Sequence, residues 1–207
     1  VGGGLRDLKD INKVLRAGAD KVAINTAAIN NPDFINQASR TFGSSTIVVA
    51  IEATGQSDGN YLAYTDNGRE YTGLEVLAWA REAEERGAGE ILLTSIDREG
   101  TGNGYDLDLT RMVSAEVTIP VIAHGGASNI IHIAETIQSA GADAVAIASM
   151  LHYAALNGND SLLGKFDDEG NIEFLKKNRS FKVFGTENLN DVKRNLSQQN
   201  IPLRVLN

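Results

Sequence analysis

Residues 1–29, VGGGLRDLKDINKVLRAGADKVAINTAAI, recur at 123–151 as AHGGASNIIHIAETIQSAGADAVAIASML. Gly3 and Gly4 correspond to Gly125 and Gly126, Ala17-Gly18-Ala19-Asp20 to Ala140-Gly141-Ala142-Asp143, and Thr26 to Ser149. Each copy reads as a glycine turn, a helix, and a short apolar strand that Gly-Ala-Asp opens and a small polar residue closes. A chain that uses one strand, helix, strand unit twice is constrained to an α/β fold, and right-handed units of this kind put every strand's C-terminal end on the same side. Both glycine turns and both strand tips therefore open onto one face. Amides freed by glycine beside a helix N-terminus form an anion site. Two such sites on one face suit a ligand with a phosphate at each end.

Elsewhere apolar runs at 46–53, 90–95 and 120–124 join those at 21–25 and 144–148 as strands. They are short and unalternating, so a parallel sheet with both faces covered is expected. Leu8, Ile11, Val14 and Leu15 share one helical face, as do Ile130, Ile133, Ala134 and Ile137, and Leu189, Val192 and Leu196 mark a last helix. YLAYTDNGREY, 61–71, predicts a hairpin over the C-terminal face, with Asn67-Gly68 as a two-residue turn. The polar stretch 154–186 is too long for an ordinary loop and reads as an excursion.

The 207 residues, 42% of them hydrophobic, can bury one substantial core, and no Pro/Gly/Ser-rich stretch marks a linker, so 1–207 is expected to form a single domain. A net charge of −8 without clustered Lys and Arg argues against a nucleic-acid surface. No apolar run approaches the roughly 20 residues that cross a bilayer, and with no cysteine there are no disulfides, which fits a cytoplasmic protein. The three histidines, His124, His132 and His152, lack metal-ligand spacing, and no cofactor is implied.

VGGGLRD, GADKVAINTAA, TFGSSTIVVAIEA, GAGEILLTSIDREGTGNGYDLDLT, IPVIAHGGA and GADAVAIAS together resemble the cyclase subunit of imidazole glycerol phosphate synthase, over nearly the whole chain. The resemblance implies the (βα)8 TIM-barrel family, with sites on the C-terminal face of the strands. It implies a lyase of histidine biosynthesis. Such an enzyme takes ammonia from a glutaminase partner and splits and cyclises a ribulosyl aminoimidazole bisphosphate, giving imidazole glycerol phosphate and an aminoimidazole carboxamide ribotide. By position, one phosphate is expected near Gly4, Asn25 and Thr26, and the other near Gly100, Gly125, Gly126, Ala148 and Ser149, with Glu99 at an acidic position beside the second loop. Glu52 takes the place of a catalytic aspartate, one methylene longer, and remains able to shuttle protons. Lys21 and Glu90 match a charged gate at the opposite end, where ammonia enters, with Asp20 beside it. His124 stands where the family has a small serine.

The family's other catalytic aspartate, on its first strand, has no counterpart here, because Val1 aligns with the end of the third strand. The expectation is an incomplete barrel, lacking the first two βα units and most of strand 3, with two open edges covered by a second copy in a homo-oligomer. Two further readings stay open: a catalytically silent phosphate-binding scaffold, and a paralogue delivering ammonia to a nucleotide sugar.

Overall fold

Strand tips and glycine turns of the repeat frame an open, mixed seven-stranded sheet in the computed structural model, which describes residues 1–157 and 187–204. The strands are β1 (Val22–Ile24), β2 (Ile47–Gly55), β3 (Tyr61–Thr65), β4 (Glu70–Glu75), β5 (Glu90–Ser95), β6 (Val121–His124) and β7 (Ala144–Val145). They lie in the order β4-β3-β2-β5-β6-β7, with β1 also on β2. All pairings are parallel except those of the β3–β4 hairpin. One edge of β2 is shared: residues Ile47, Val48 and Val49 pair with β1, and Glu52 to Gly55 pair with β3. The hairpin thus replaces β1 as the neighbour of β2 toward the C-terminal face. Helices are α1 (Leu8–Arg16), α2 (Thr26–Asn30), α3 (Asp33–Phe42), α4 (Val76–Glu85), α5 (Leu107–Glu116), α6 (Ile130–Ala140), α7 (Ser149–Asn157) and α8 (Leu189–Gln198).

The two copies of the repeat match down to their capping. Asp7 accepts a hydrogen bond from the Asp10 amide at the start of α1, and Asn129, at the equivalent position, accepts one from the His132 amide at the start of α6. Both glycine pairs have left-handed φ: +96° and +69° at Gly3 and Gly4, and +97° and +100° at Gly125 and Gly126. Gly141 ends α6 in the αL conformation.

Burial alternates along the strands. Val22, Ile24, Ile47, Val49, Ile51, Ala53, Ile91, Leu93 and Val121 are buried on one face, packed with Ile11, Ile35, Trp79, Ala80, Leu109 and Val113 from α1, α3, α4 and α5. A second cluster joins Ala123, Ile133, Ala134 and Met150 to Val192 and Leu196 of α8. The other face carries Ala23, Ala50, Glu52, Leu92, Ile122 and His124, all half-buried. Expectation and structure differ here. Among the described residues the helix-covered face is the more completely buried, while on the second face, whose cover in a closed barrel comes from other strands, Val48 and Thr94 are buried and their neighbours are not.

Three further points depart from the reading of the sequence. The hairpin forms, but its loop runs through Asp66, Asn67, Gly68 and Arg69, with left-handed φ at Asp66, Asn67 and Gly68, rather than through a two-residue turn. The last strand of the repeat is shorter than 144–148, because after Val145 the chain turns toward α7, keeping one further bond from the Ala146 amide to the Ala123 carbonyl. In the polar excursion, 154–157 complete α7, and the remainder lies outside the described residues.

Candidate functional site

Strand register stacks the inward-facing side chains in layers. Lys21, just before β1, and Glu90, opening β5, belong to the N-terminal end. Above them Ala50, Leu92 and Ile122 are register partners across three strands. The top row is polar: Tyr64 faces Glu52, Glu52 faces Thr94, and Thr94 faces His124. Strands are spaced about 4.8 Å apart, so Glu52 and His124 stand about 10 Å from each other with Thr94 between them.

Two cavities open beside this row. The first, about 760 Å³, is lined by Gly3, Gly4, Arg6, Asn25, Thr26 and Glu52, with Asp66 and Asn67 of the hairpin loop at its rim. A second and smaller cavity, about 100 Å³, is lined by Glu99, Gly100, His124, Gly125, Gly126, Ala148 and Ser149. Each cavity thus collects one glycine pair and one strand tip of the repeat. Because α1 and α6 are capped by their own Asp7 and Asn129, the helix starts that reach the cavities are those at the strand tips, α2 at Thr26 and α7 at Ser149. The sequence reading had placed that contribution at the glycine turns.

The glycine pairs are packed differently. A Cβ on Gly3 or Gly4 would meet nothing within 4 Å, whereas one on Gly126 would lie 2.2 Å from the Gly104 carbonyl oxygen. That close approach is held by a hydrogen bond from the Gly104 amide to the Gly126 carbonyl, 2.8 Å long.

Glu52 is positioned from the hairpin. The Gly68 amide donates to Glu52 Oε2 at 2.7 Å, and Asn25 Nδ2 donates to the Tyr64 carbonyl at 3.1 Å, tying the β1 tip to the same hairpin. The Asp66 amide reaches Thr26 Oγ1 at 3.4 Å. Burial raises the Glu52 carboxyl above its ordinary value of 4.5. The Gly68 amide and the Asn25 side chain act against this, and the charges of Glu99 and Asp66 add to the rise. A carboxyl held in this way can bind and release protons closer to neutrality than a solvated one.

At the opposite end Lys21 Nζ and Glu90 Oε1 form a salt bridge across the start of β2. Asp20 is exposed. The structure therefore brings Gly4, Asn25, Thr26 and Glu52 together, gathers Glu99, Gly100, Gly125, Gly126, Ala148 and Ser149 separately, and pairs Lys21 with Glu90. Sequence reasoning missed Arg6 and Thr94. Arg6 was visible as the cation directly after the first glycine turn, and Thr94 as the last inward residue of LLTS two positions beyond Leu92.

Residues 1–157 match the family described as histidine biosynthesis protein. The chain belongs to that family. The histidine biosynthesis protein family has a (βα)8-barrel fold, and the open sheet of the described residues is an incomplete barrel of that kind. One relative, the imidazole glycerol phosphate synthase subunit HisF of Pyrobaculum aerophilum, is 54% identical over 157 residues, which is 76% of this chain. The chain spans 61% of that relative's length. The matched stretch contains both copies of the repeat and both cavities. Among the described residues no helix is long and apolar enough to cross a membrane.

Proposed function

We propose that this chain acts as the cyclase part of an imidazole glycerol phosphate synthase, holding a ribulosyl aminoimidazole bisphosphate by its two phosphates and moving protons with Glu52. The observation that carries this reading is the placement of two cavities, built from duplicated glycine turns and strand tips, on either side of one polar row that includes a perturbed carboxyl. The name of the Pyrobaculum relative supports it.

In the first cavity the amides of Gly3 and Gly4, the Thr26 hydroxyl and the Arg6 guanidinium receive one phosphate. The Gly100, Gly125, Gly126, Ala148 and Ser149 backbone receives the other. Ammonia from a glutaminase partner enters past Lys21 and Glu90, crosses the apolar layer of Ala50, Leu92 and Ile122, and meets the substrate at the top row. Glu52, as the carboxylate, takes up a proton as the new carbon–nitrogen bond forms and returns it to a leaving group, the Gly68 amide fixing which oxygen faces the substrate.

The test is ammonia-dependent turnover of the bisphosphate by the purified chain, followed by loss of substrate absorbance, alongside substrate binding. Turnover is expected. Binding without turnover would instead favour a phosphate-binding scaffold, and absence of both would end the reading. For the gate, the Lys21–Glu90 pair is partly exposed, the lysine side chain at 44%, so Lys21→Ala is expected to cost less than about 1 kcal/mol of stability. It should nevertheless lower the ratio of glutamine-supported to ammonia-supported turnover in the presence of a glutaminase. An unchanged ratio would remove Lys21 from the ammonia path.

A further inference from the structure

The two copies of the repeat differ in the chargeable side chain that each brings to its cavity. The first has Gly2 and Arg6 where the second has His124 and Ser128. Each cavity therefore contains one side chain able to carry a positive charge, contributed from a different place in the unit: Arg6 in the first and His124 in the second. Among the described residues no lysine or arginine lines the second cavity, and Glu99 brings a carboxylate into it. Of the described residues, glycine amides, the first turn of α7 and His124 are what a phosphate there would have to offset that carboxylate.

The ring of His124 is held for this task. Its Nδ1 lies 3.0 Å from Thr94 Oγ1 on the adjacent strand, and Thr94 is itself buried, 8% exposed. When the threonine hydroxyl donates to Nδ1, the proton of the neutral ring sits on Nε2. When the ring is cationic, Nδ1 donates to the hydroxyl and Nε2 again carries a proton. In these two states Nε2 is a donor, and a phosphate oxygen would select them over the neutral tautomer protonated on Nδ1; Nε2 has no hydrogen-bond partner among the described residues. Two residues further on, the turn that also lines the cavity packs closely at Gly126, which accepts a backbone hydrogen bond from the Gly104 amide.

We infer that His124 is the side-chain donor to a phosphomonoester in the second cavity, donating from Nε2 with its ring oriented by Thr94. This rests on the reading of that cavity as a phosphate pocket.

The experiment is a titration of the full chain with inorganic phosphate, followed by NMR at the Gly126 and Ser149 amides for the second cavity and at the Gly4 and Thr26 amides for the first. Wild-type protein is expected to titrate at both pairs, with the His124 ring resonances moving alongside Gly126 and Ser149. His124→Ser, with its small polar side chain, should weaken phosphate at the second cavity about tenfold or more and leave the first unchanged, in line with the loss of a charge-assisted hydrogen bond. His124→Gln, which keeps a neutral donor near the position of Nε2, should recover part of the loss, and Thr94→Val should show a smaller loss than His124→Ser. Unchanged titration of Gly126 and Ser149 in His124→Ser would overturn the inference while leaving both pockets standing. Failure of the wild-type Gly126 and Ser149 amides to respond, whether or not Gly4 and Thr26 do, would overturn it together with the phosphate reading of that cavity.

Discussion

Replacing Glu52 with glutamine is expected to lower kcat by about 10²- to 10⁴-fold, the range a positioned proton-transfer group contributes. Glutamine has nearly the shape of glutamate and still offers an oxygen to the Gly68 amide, so the hairpin anchor and both cavities should persist. Substrate binding is therefore expected to stay close to wild type, and a parallel fall in affinity would point to a binding role instead. The stability of the variant adds a second check. Burial raises the Glu52 carboxyl above its ordinary value, so the folded state favours the protonated form more than the unfolded chain does. The stability this group contributes is fully present below the unfolded value near 4.5 and is lost as pH rises through the higher folded value. Wherever the carboxyl is ionised, the folded wild-type protein carries a partly desolvated charge, and there Glu52→Gln should be at least as stable toward urea. Activity should respond to pH in the opposite sense. Because the base must be ionised, the acid limb of the rate profile is expected at higher pH than for a solvated glutamate, and Glu52→Gln should abolish that limb.

The second large effect is expected at Gly126. An alanine there must hold a φ of +100° and place its Cβ 2.2 Å from the Gly104 carbonyl oxygen and 3.0 Å from Arg98 Cβ. The left-handed conformation costs about 1–2 kcal/mol in a residue with a side chain, and overpacking adds about 1–3 kcal/mol. Gly126→Ala is accordingly expected to lose about 3 kcal/mol or more in urea unfolding and to distort the second cavity, because relief of the clash breaks the Gly104 to Gly126 hydrogen bond. Gly4→Ala is the control. Its φ of +69° carries the conformational cost, but nothing lies within 4 Å of the new carbon, so about 1 kcal/mol is expected. Equal losses at the two positions would mean that the contact at Gly126 relaxes freely.

Features set by local rules were legible in the sequence. The glycine pairs and the helices behind Asp7 and Asn129, which the duplication displayed twice, and the strands at 47–53 and 90–95 depend on residues close in the chain, though the first of these strands runs on to Gly55. Legibility failed where distant residues meet. Nothing near Glu52 in sequence announces the Gly68 amide that holds it, nor does Thr94 announce that it stands between Glu52 and His124, since both facts follow from register across separate strands. The hairpin loop was misjudged for a related reason. Asn67-Gly68 marks a turn correctly, but the left-handed φ at Asp66 follows from the way the loop folds back over the β1 tip and Glu52. The incomplete cover of the inward face could not be inferred from short apolar strands, which read the same in a flat sheet and in a barrel wall.

The unequal packing of the two glycine pairs bears on a problem that any internally duplicated site meets. A ligand with a phosphate at each end could enter two identical cradles head first or tail first, and half of the encounters would present the wrong atoms to Glu52. Here one cradle is roomy, with open space around Gly3 and Gly4, and the other is tight and locked against Gly104. On the proposed reading, a molecule whose two ends differ in bulk would settle both phosphates in one direction, so the difference between the copies would give the site a polarity that two identical cradles would lack.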